Sequence, residues 1–206
     1  MNYIRITKDN IDKEHICCAM SNKQSAAKKE WLKQRFEEGL VFYRSEERGK
    51  CFIEYIPAEY AWVPIEAAGY LYINCLWIAG SMKGHGYSND LLDKCMRDAK
   101  AQGKKGLCIL SAEGKKREFL SDPKYLAHKG FLTADTSECG ITLLYLPFAP
   151  DAQPPVAARL LRLQQLQPVD GHGAGGALDL LPLPGQLREL LPAELDGGVH
   201  GRHLLY

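Results

Sequence analysis

An apolar run that ends in a loop with two glycines, then passes into an amphipathic helix and a second apolar run, leaves a chain few ways to fold. Here the first run is Tyr70-Leu71-Tyr72-Ile73-Asn74-Cys75-Leu76-Trp77-Ile78, and the loop is Ser81-Met82-Lys83-Gly84-His85-Gly86. Beyond the loop Leu91, Leu92, Cys95 and Ala99 recur at helical spacing, the helix closes near Gly103, and Gly106-Leu107-Cys108-Ile109-Leu110-Ser111 reads as a fully apolar strand. Two strands joined through a crossover helix run parallel, as a right-handed βαβ unit.

The loop between the first strand and the helix is a candidate anion site. Gly84 and Gly86 lack Cβ atoms, so their backbone can take φ > 0 and approach a ligand closely. Amides at a helix start then face a phosphate or pyrophosphate. A Walker loop would need Gly-Lys-Ser/Thr, but Lys83 precedes Gly84 and His85 follows it; a dinucleotide fingerprint would need a third glycine where Asn89 stands. A nucleotide-binding α/β protein is thereby disfavoured.

The rest of the chain supplies a frame for this unit. Asn2 to Thr7 alternates like a half-buried strand, and a short helical piece is expected around Ile11 to Cys18. Ser21 or Asn22 can cap a helix whose Ala27, Trp31, Leu32 and Phe36 share a face, and Gly39 ends it. Lys28, Lys29, Lys33 and Arg35 read as its solvated face, balanced by Glu30, Glu37 and Glu38. Leu40 to Tyr43 and Cys51 to Ile56 form a hairpin, and residues 57–68 a proline-bounded loop with Tyr60 and Trp62. Asp122 to Phe131 is a short helix that starts at Pro123 and stops at Gly130. Phe131 to Asp135 and Gly140 to Leu146 are a closing antiparallel pair.

Ser81, Met82, Lys83, Gly84, His85 and Gly86 resemble the Gln/Arg-x-x-Gly-x-Gly/Ala motif of the GNAT acetyltransferases, with serine in the Gln/Arg position. His128-Lys129-Gly130-Phe131 is similar to the family's Tyr-x-x-x-Gly-Phe segment. The wording of residues 21–29, 53–60 and 84–89 resembles a microbial GNAT subgroup, whose members often continue into a YoaP-type C-terminal domain. The resemblance covers residues 1 to about 148. It implies an α/β (α+β) fold: a GNAT-like mixed, mostly antiparallel sheet around a central βαβ unit, with flanking helices. It implies acetyl-CoA as co-substrate, held by Leu76, Trp77 and Ile78 of the strand and by Ser81, Met82, Lys83, Gly84, His85, Gly86, Tyr87 and Ser88. It implies an N-acetyltransferase acting on a primary amine. The alternative is a non-catalytic acyl-CoA-binding or protein-interaction module.

The chain departs from the family at its acid. Counted back from Gly130, the family's tyrosine falls on Leu126, with Tyr125 one residue earlier, and a one-residue shift turns a helical side chain by about 100°. Tyr125 is the candidate acid for the departing thiolate. Glu54, mid-strand beside the cleft, is the candidate base, although a glutamate in such a strand ordinarily faces solvent. Glu59 and Glu66 in the aromatic loop are further carboxylates within the same region.

Net charge is +1, which argues against nucleic-acid binding through phosphate neutralisation. No apolar run near 20 residues and no signal-peptide core is present, so neither a membrane nor secretion is expected. The cysteines (17, 18, 51, 75, 95, 108 and 139) show no metal-ligand spacing and fit a reducing, cytoplasmic setting. Residues 151–206 lack Lys, Ile, Ser, Thr, Asn, Cys, Met, Phe and Trp, and hold 14 leucines and six prolines. With so few core-forming residues, 149–206 is expected to be a low-complexity, disordered or loosely helical tail, out of frame or replaced, and a chain ending near Phe148 to be self-sufficient.

Overall fold

The computed structural model describes residues 1–16, 22–113, 120–137 and 140–158. All of them belong to the first of the two units, Met1–Pro168 and Val169–Tyr206, into which the chain divides. Their order is β1 (Tyr3–Ile6), α1 (Asn22–Arg35), β2 (Val41–Ser45), β3 (Cys51–Pro57), β4 (Ile65–Glu66), β5 (Tyr70–Ile78), α2 (Tyr87–Ala101), β6 (Gly106–Ala112), α3 (Pro123–His128), β7 (Leu132–Thr136), β8 (Ile141–Pro147) and β9 (Val156–Ala157).

Seven strands make one sheet in the order β1-β2-β3-β5-β6-β8-β7. Its neighbours are antiparallel except β5 and β6, which run parallel as the crossover through α2 demands. That parallel pairing is short: Tyr70, Leu71 and Tyr72 face Gly106, Leu107 and Cys108, and no further pairs form. The two strands therefore fork after Tyr72, and the fork points toward the glycine loop. At the closed end a Cβ on Gly106 would lie 2.2 Å from the Leu146 carbonyl oxygen, so the tight joint of β6 with β8 requires glycine.

Strand alternation divides the core between the two sheet faces. One face carries Leu32 of α1 with Phe42, Phe52, Ile56, Tyr72 and Leu110. The other carries Leu91, Leu92, Cys95 and Ala99 of α2 with Ile53, Tyr55, Leu71, Ile73 and Leu126. The helical register expected for α2 is the one found. Along α1 the expected register holds only in part: Leu32 is buried, but Ala27 is exposed.

Two expectations change. The stretch from residue 8 to 14 forms turns rather than a helix. Asn10 explains why: its side chain accepts from the Thr7 amide at 2.8 Å and donates to the Arg5 carbonyl at 2.9 Å, a local pattern that competes with helical bonding. Cys17 and Cys18, included in that expectation, lie outside the described residues, as does Ser21.

The second change concerns the boundary at 148. β9 pairs antiparallel with β4, Ala157 donates to Asp135 Oδ2 at 3.1 Å, Ala158 donates to the Pro64 carbonyl at 2.8 Å, and the Tyr70 hydroxyl donates to the Gln153 carbonyl at 2.8 Å. Residues 149–158 thus belong to the fold, and we propose that its boundary falls after Ala158; the remainder of the expected tail lies outside the described residues. A chain ending at Phe148 forfeits these bonds, each with a net value of about 0.5–1.5 kcal/mol. It should melt roughly 4–8 °C below a chain ending at Ala158, at about 2–4 °C per kcal/mol for a domain of this size. Equal melting temperatures in calorimetry would show that β9 contributes nothing.

Candidate active site

The loop after β5 is shaped by its glycines. Gly84 and Gly86 sit at φ 83° and 78°, and a Cβ built on either meets no atom within 4 Å. Open space therefore lies where side chains would project. Met82 is buried against the α2-side core and anchors the loop, while Ser81, Lys83, Gly84, His85 and Gly86 are exposed. The His85 and Tyr87 rings stack at 5.4 Å.

α2 starts with Gly86 at its N-cap and has no side-chain cap. Its first amide to reach a carbonyl is that of Asn89, which donates to Gly86 at 2.9 Å. Among the described residues the amides of 84–88 have no main-chain acceptor. Amides without a main-chain acceptor at the positive end of a helix dipole, beside an exposed lysine, have the chemistry to cradle an anion.

The fork leads away from this cradle. Leu76, Trp77 and Ile78 lie in the half of β5 that no longer pairs with β6, and they are half-buried where Tyr70 to Ile73 are buried. Alternate backbone amides and carbonyls of this half face the gap. On the far edge of β5 the register against β3 slips: Glu54 faces Cys75 and Tyr55 faces Ile73, leaving Asn74 as a bulge.

Glu54 is not on the solvent side, as its strand position alone would suggest. It is 2% exposed. Asn74 Nδ2 donates to its Oε1 at 2.8 Å, and Lys28 Nζ lies 3.2 Å from Oε1 and 2.9 Å from Oε2. A buried carboxylate is tolerable when a cation and a further donor hold it. Lys28 also sits 3.9 Å over the Trp31 ring, and Trp31 meets the edge of Trp62 at 6.0 Å.

The same helix face carries Arg35, buried, 4.4 Å over Trp62 and donating to the Tyr60 carbonyl at 3.0 Å; it also pairs with Glu38. Trp62 itself remains 54% exposed. The expected solvated basic face thus holds only in part: Lys33 pairs with Asp12 and Glu30 at the surface, but Lys28 and Arg35 turn inward. Lys28, Trp31 and Arg35 share a face by their spacing, a signal present in the sequence beside the charge pattern. Of the other carboxylates, Glu59 accepts from the Gly69 amide at 2.7 Å and faces Lys104, while Glu66 is exposed in β4.

Tyr125 enters from the opposite sheet face. Asp122 caps α3 by accepting from the Lys124 amide at 2.9 Å, and Leu126 is fully buried in the α2-side core. The one-residue offset therefore places leucine in the core and turns Tyr125 toward the start of α2. Its hydroxyl is buried without a well-formed hydrogen bond, near Ser88. Burial pushes its pKa up, the Ser88 hydroxyl offsets part of that, and the Asp93 carboxylate adds to it.

No family model matches the chain. It is 53% identical over 139 residues to the uncharacterized N-acetyltransferase YoaP of Bacillus subtilis, an alignment that spans 66% of this chain. The chain covers 55% of that relative's length. In fold it is similar to a GNAT-family protein from Desulfovibrio desulfuricans (TM-score 0.51, 12% identity, 72% of this chain and 99% of that one). It is also similar to yncA from Salmonella typhimurium, solved with acetyl-CoA (TM-score 0.50, 14% identity, 74% and 96%). None of the helices in the described residues is long and apolar enough to cross a membrane. The forked parallel strands and the glycine loop between them agree with this likeness, and the chain has the GNAT fold.

Proposed function

We propose that the chain is an acetyl-CoA-dependent N-acetyltransferase that acts on a primary amine, in a reducing, cytoplasmic setting. The fork between β5 and β6, opening onto the amides of residues 84–88 that have no main-chain acceptor among the described residues, is the observation that carries this reading. It supplies what a pyrophosphate joined to an extended acyl-pantetheine arm requires: an anion cradle at one end, and a slot edged by the part of β5 that does not pair with β6. Bound acetyl-CoA supplies an activated acetyl thioester.

The chain's own groups would do the rest. Leu76, Trp77 and Ile78 edge the slot, and an amide of β5 facing the gap donates to the oxyanion that develops on the acyl group. Residues 81–88 hold the phosphate end. Glu54 lies on the α1 face, beside the aromatic rings of Trp31 and Trp62, where it can take a proton from an incoming ammonium. Tyr125 lies on the α2 face, where it can give a proton to the departing thiolate. The two proton-transfer groups thus stand on opposite faces of the forked sheet. Acceptor and donor can then approach from opposite sides.

Calorimetry with acetyl-CoA should show one site per chain, and a free-thiol assay over a panel of primary amines should show turnover with at least one. Binding without turnover by any amine would leave a non-catalytic acyl-CoA-binding module. Absence of binding would overturn the reading.

A further inference from the structure

Lys28 does more than neutralise a buried carboxylate. Its primary amine lies 2.9 Å from Glu54 Oε2, the oxygen that Asn74 leaves free, and 3.9 Å from the Trp31 ring centroid. Its side chain is 23% exposed and that of Glu54 only 3%. An amine held on the group assigned to deprotonate amines is in the place of a substrate. Glu54 is one strand from the fork, because β3 pairs with β5 through Glu54 and Cys75. One strand spacing is about 4.8 Å. The flexible four-carbon stem of a lysine can carry Nζ across a gap of that size.

We propose that Lys28 is an internal acceptor, and that the chain transfers acetyl to its own Lys28 Nζ. The proposal rests on the acetyltransferase reading above. The Lys28 ammonium gives a proton to Glu54. The neutral amine then attacks the thioester carbonyl and an N–C bond forms; the adduct nitrogen gives its second proton to solvent, the C–S bond breaks, and the thiolate takes a proton from Tyr125. The products are Nε-acetyl-lysine and free coenzyme A thiol. Exchange of both residues with solvent returns Glu54 to the carboxylate and Tyr125 to the phenol. Acetylation removes the charge that balances Glu54, so the modified chain carries an altered amine side of its own site.

The test is isotope-labelled acetyl-CoA incubated with the full chain, followed by peptide mapping. Lys8 and Lys124, both exposed, report uncatalysed acetylation. Lys28 should be labelled at least tenfold faster than either, at a first-order rate unchanged over a tenfold range of protein concentration. That excess should be lost in Glu54→Gln, and Lys28→Arg should remove the label from its peptide. Labelling of Lys28 no faster than of Lys8 and Lys124, or at a rate proportional to protein concentration, would overturn self-acetylation. Calorimetry and the amine panel run on the same preparation separate the two levels. If acetyl-CoA binds and an added amine is acetylated while Lys28 stays unlabelled, the internal acceptor is excluded and the acetyltransferase reading stands. If acetyl-CoA does not bind, both fall.

Discussion

Tyr125→Phe should lower kcat by about 10²-fold or more while leaving acetyl-CoA affinity nearly unchanged. The substitution removes one oxygen and little else. That oxygen is buried without a well-formed hydrogen bond, so a solely structural role would make its loss neutral or slightly stabilising. The melting temperature should therefore hold or rise as turnover falls, an outcome that a packing defect cannot produce. The pH profile adds a second readout. Burial raises the phenol above its ordinary value near 10, so its acid form persists throughout the neutral range. No alkaline loss of kcat from this group should appear below about pH 10. Unchanged turnover in Tyr125→Phe would remove it as the acid.

The same residue shows where sequence reasoning reaches its limit. Periodicity and punctuation made the framework legible: α2 between β5 and β6, the parallel pairing, the stop at Gly39 and the start of α3 at Pro123 all follow from local chemistry. Glycine at 84 and 86 was legible for the same reason, since positive φ is a local demand. What escaped depends on contacts between distant positions. Glu54 looked solvent-facing because its partners, Lys28 on α1 and Asn74 on β5, meet it only in the folded chain. The Asn74 bulge is a mismatch between two strands and leaves no mark in either alone. β4 and β9 are each two residues long, too short for any alternation, and their pairing is visible only across the intervening chain. A glutamate in an apolar strand, with a Lys-x-x-Trp face on a preceding helix, was the one available hint of the amine side.

The loop itself carries the largest test of ligand binding. Gly86→Val places a β-branched side chain at φ 78°, with its Cβ directed into the open space above the helix start. Two costs follow, and they can be separated. Backbone strain in the left-handed region costs roughly 1–2 kcal/mol of stability. Obstruction of the cradle removes charge-assisted amide contacts at about 1.5–3 kcal/mol each, so acetyl-CoA affinity should fall at least tenfold per contact and about 10²-fold or more when two are lost. Gly103 provides the control. It lies just beyond the other end of α2 at φ 64°, and its Cβ would also meet nothing within 4 Å. Gly103→Val should show a comparable loss of stability with unchanged affinity. Lys83→Ala should weaken binding less than Gly86→Val, because an exposed cation near a phosphate is screened and replaceable. With folding verified by circular dichroism, calorimetry on the three variants decides the matter. A folded Gly86→Val chain that binds acetyl-CoA like the parent would reduce the loop to a turn between β5 and α2 and remove the phosphate cradle from the site.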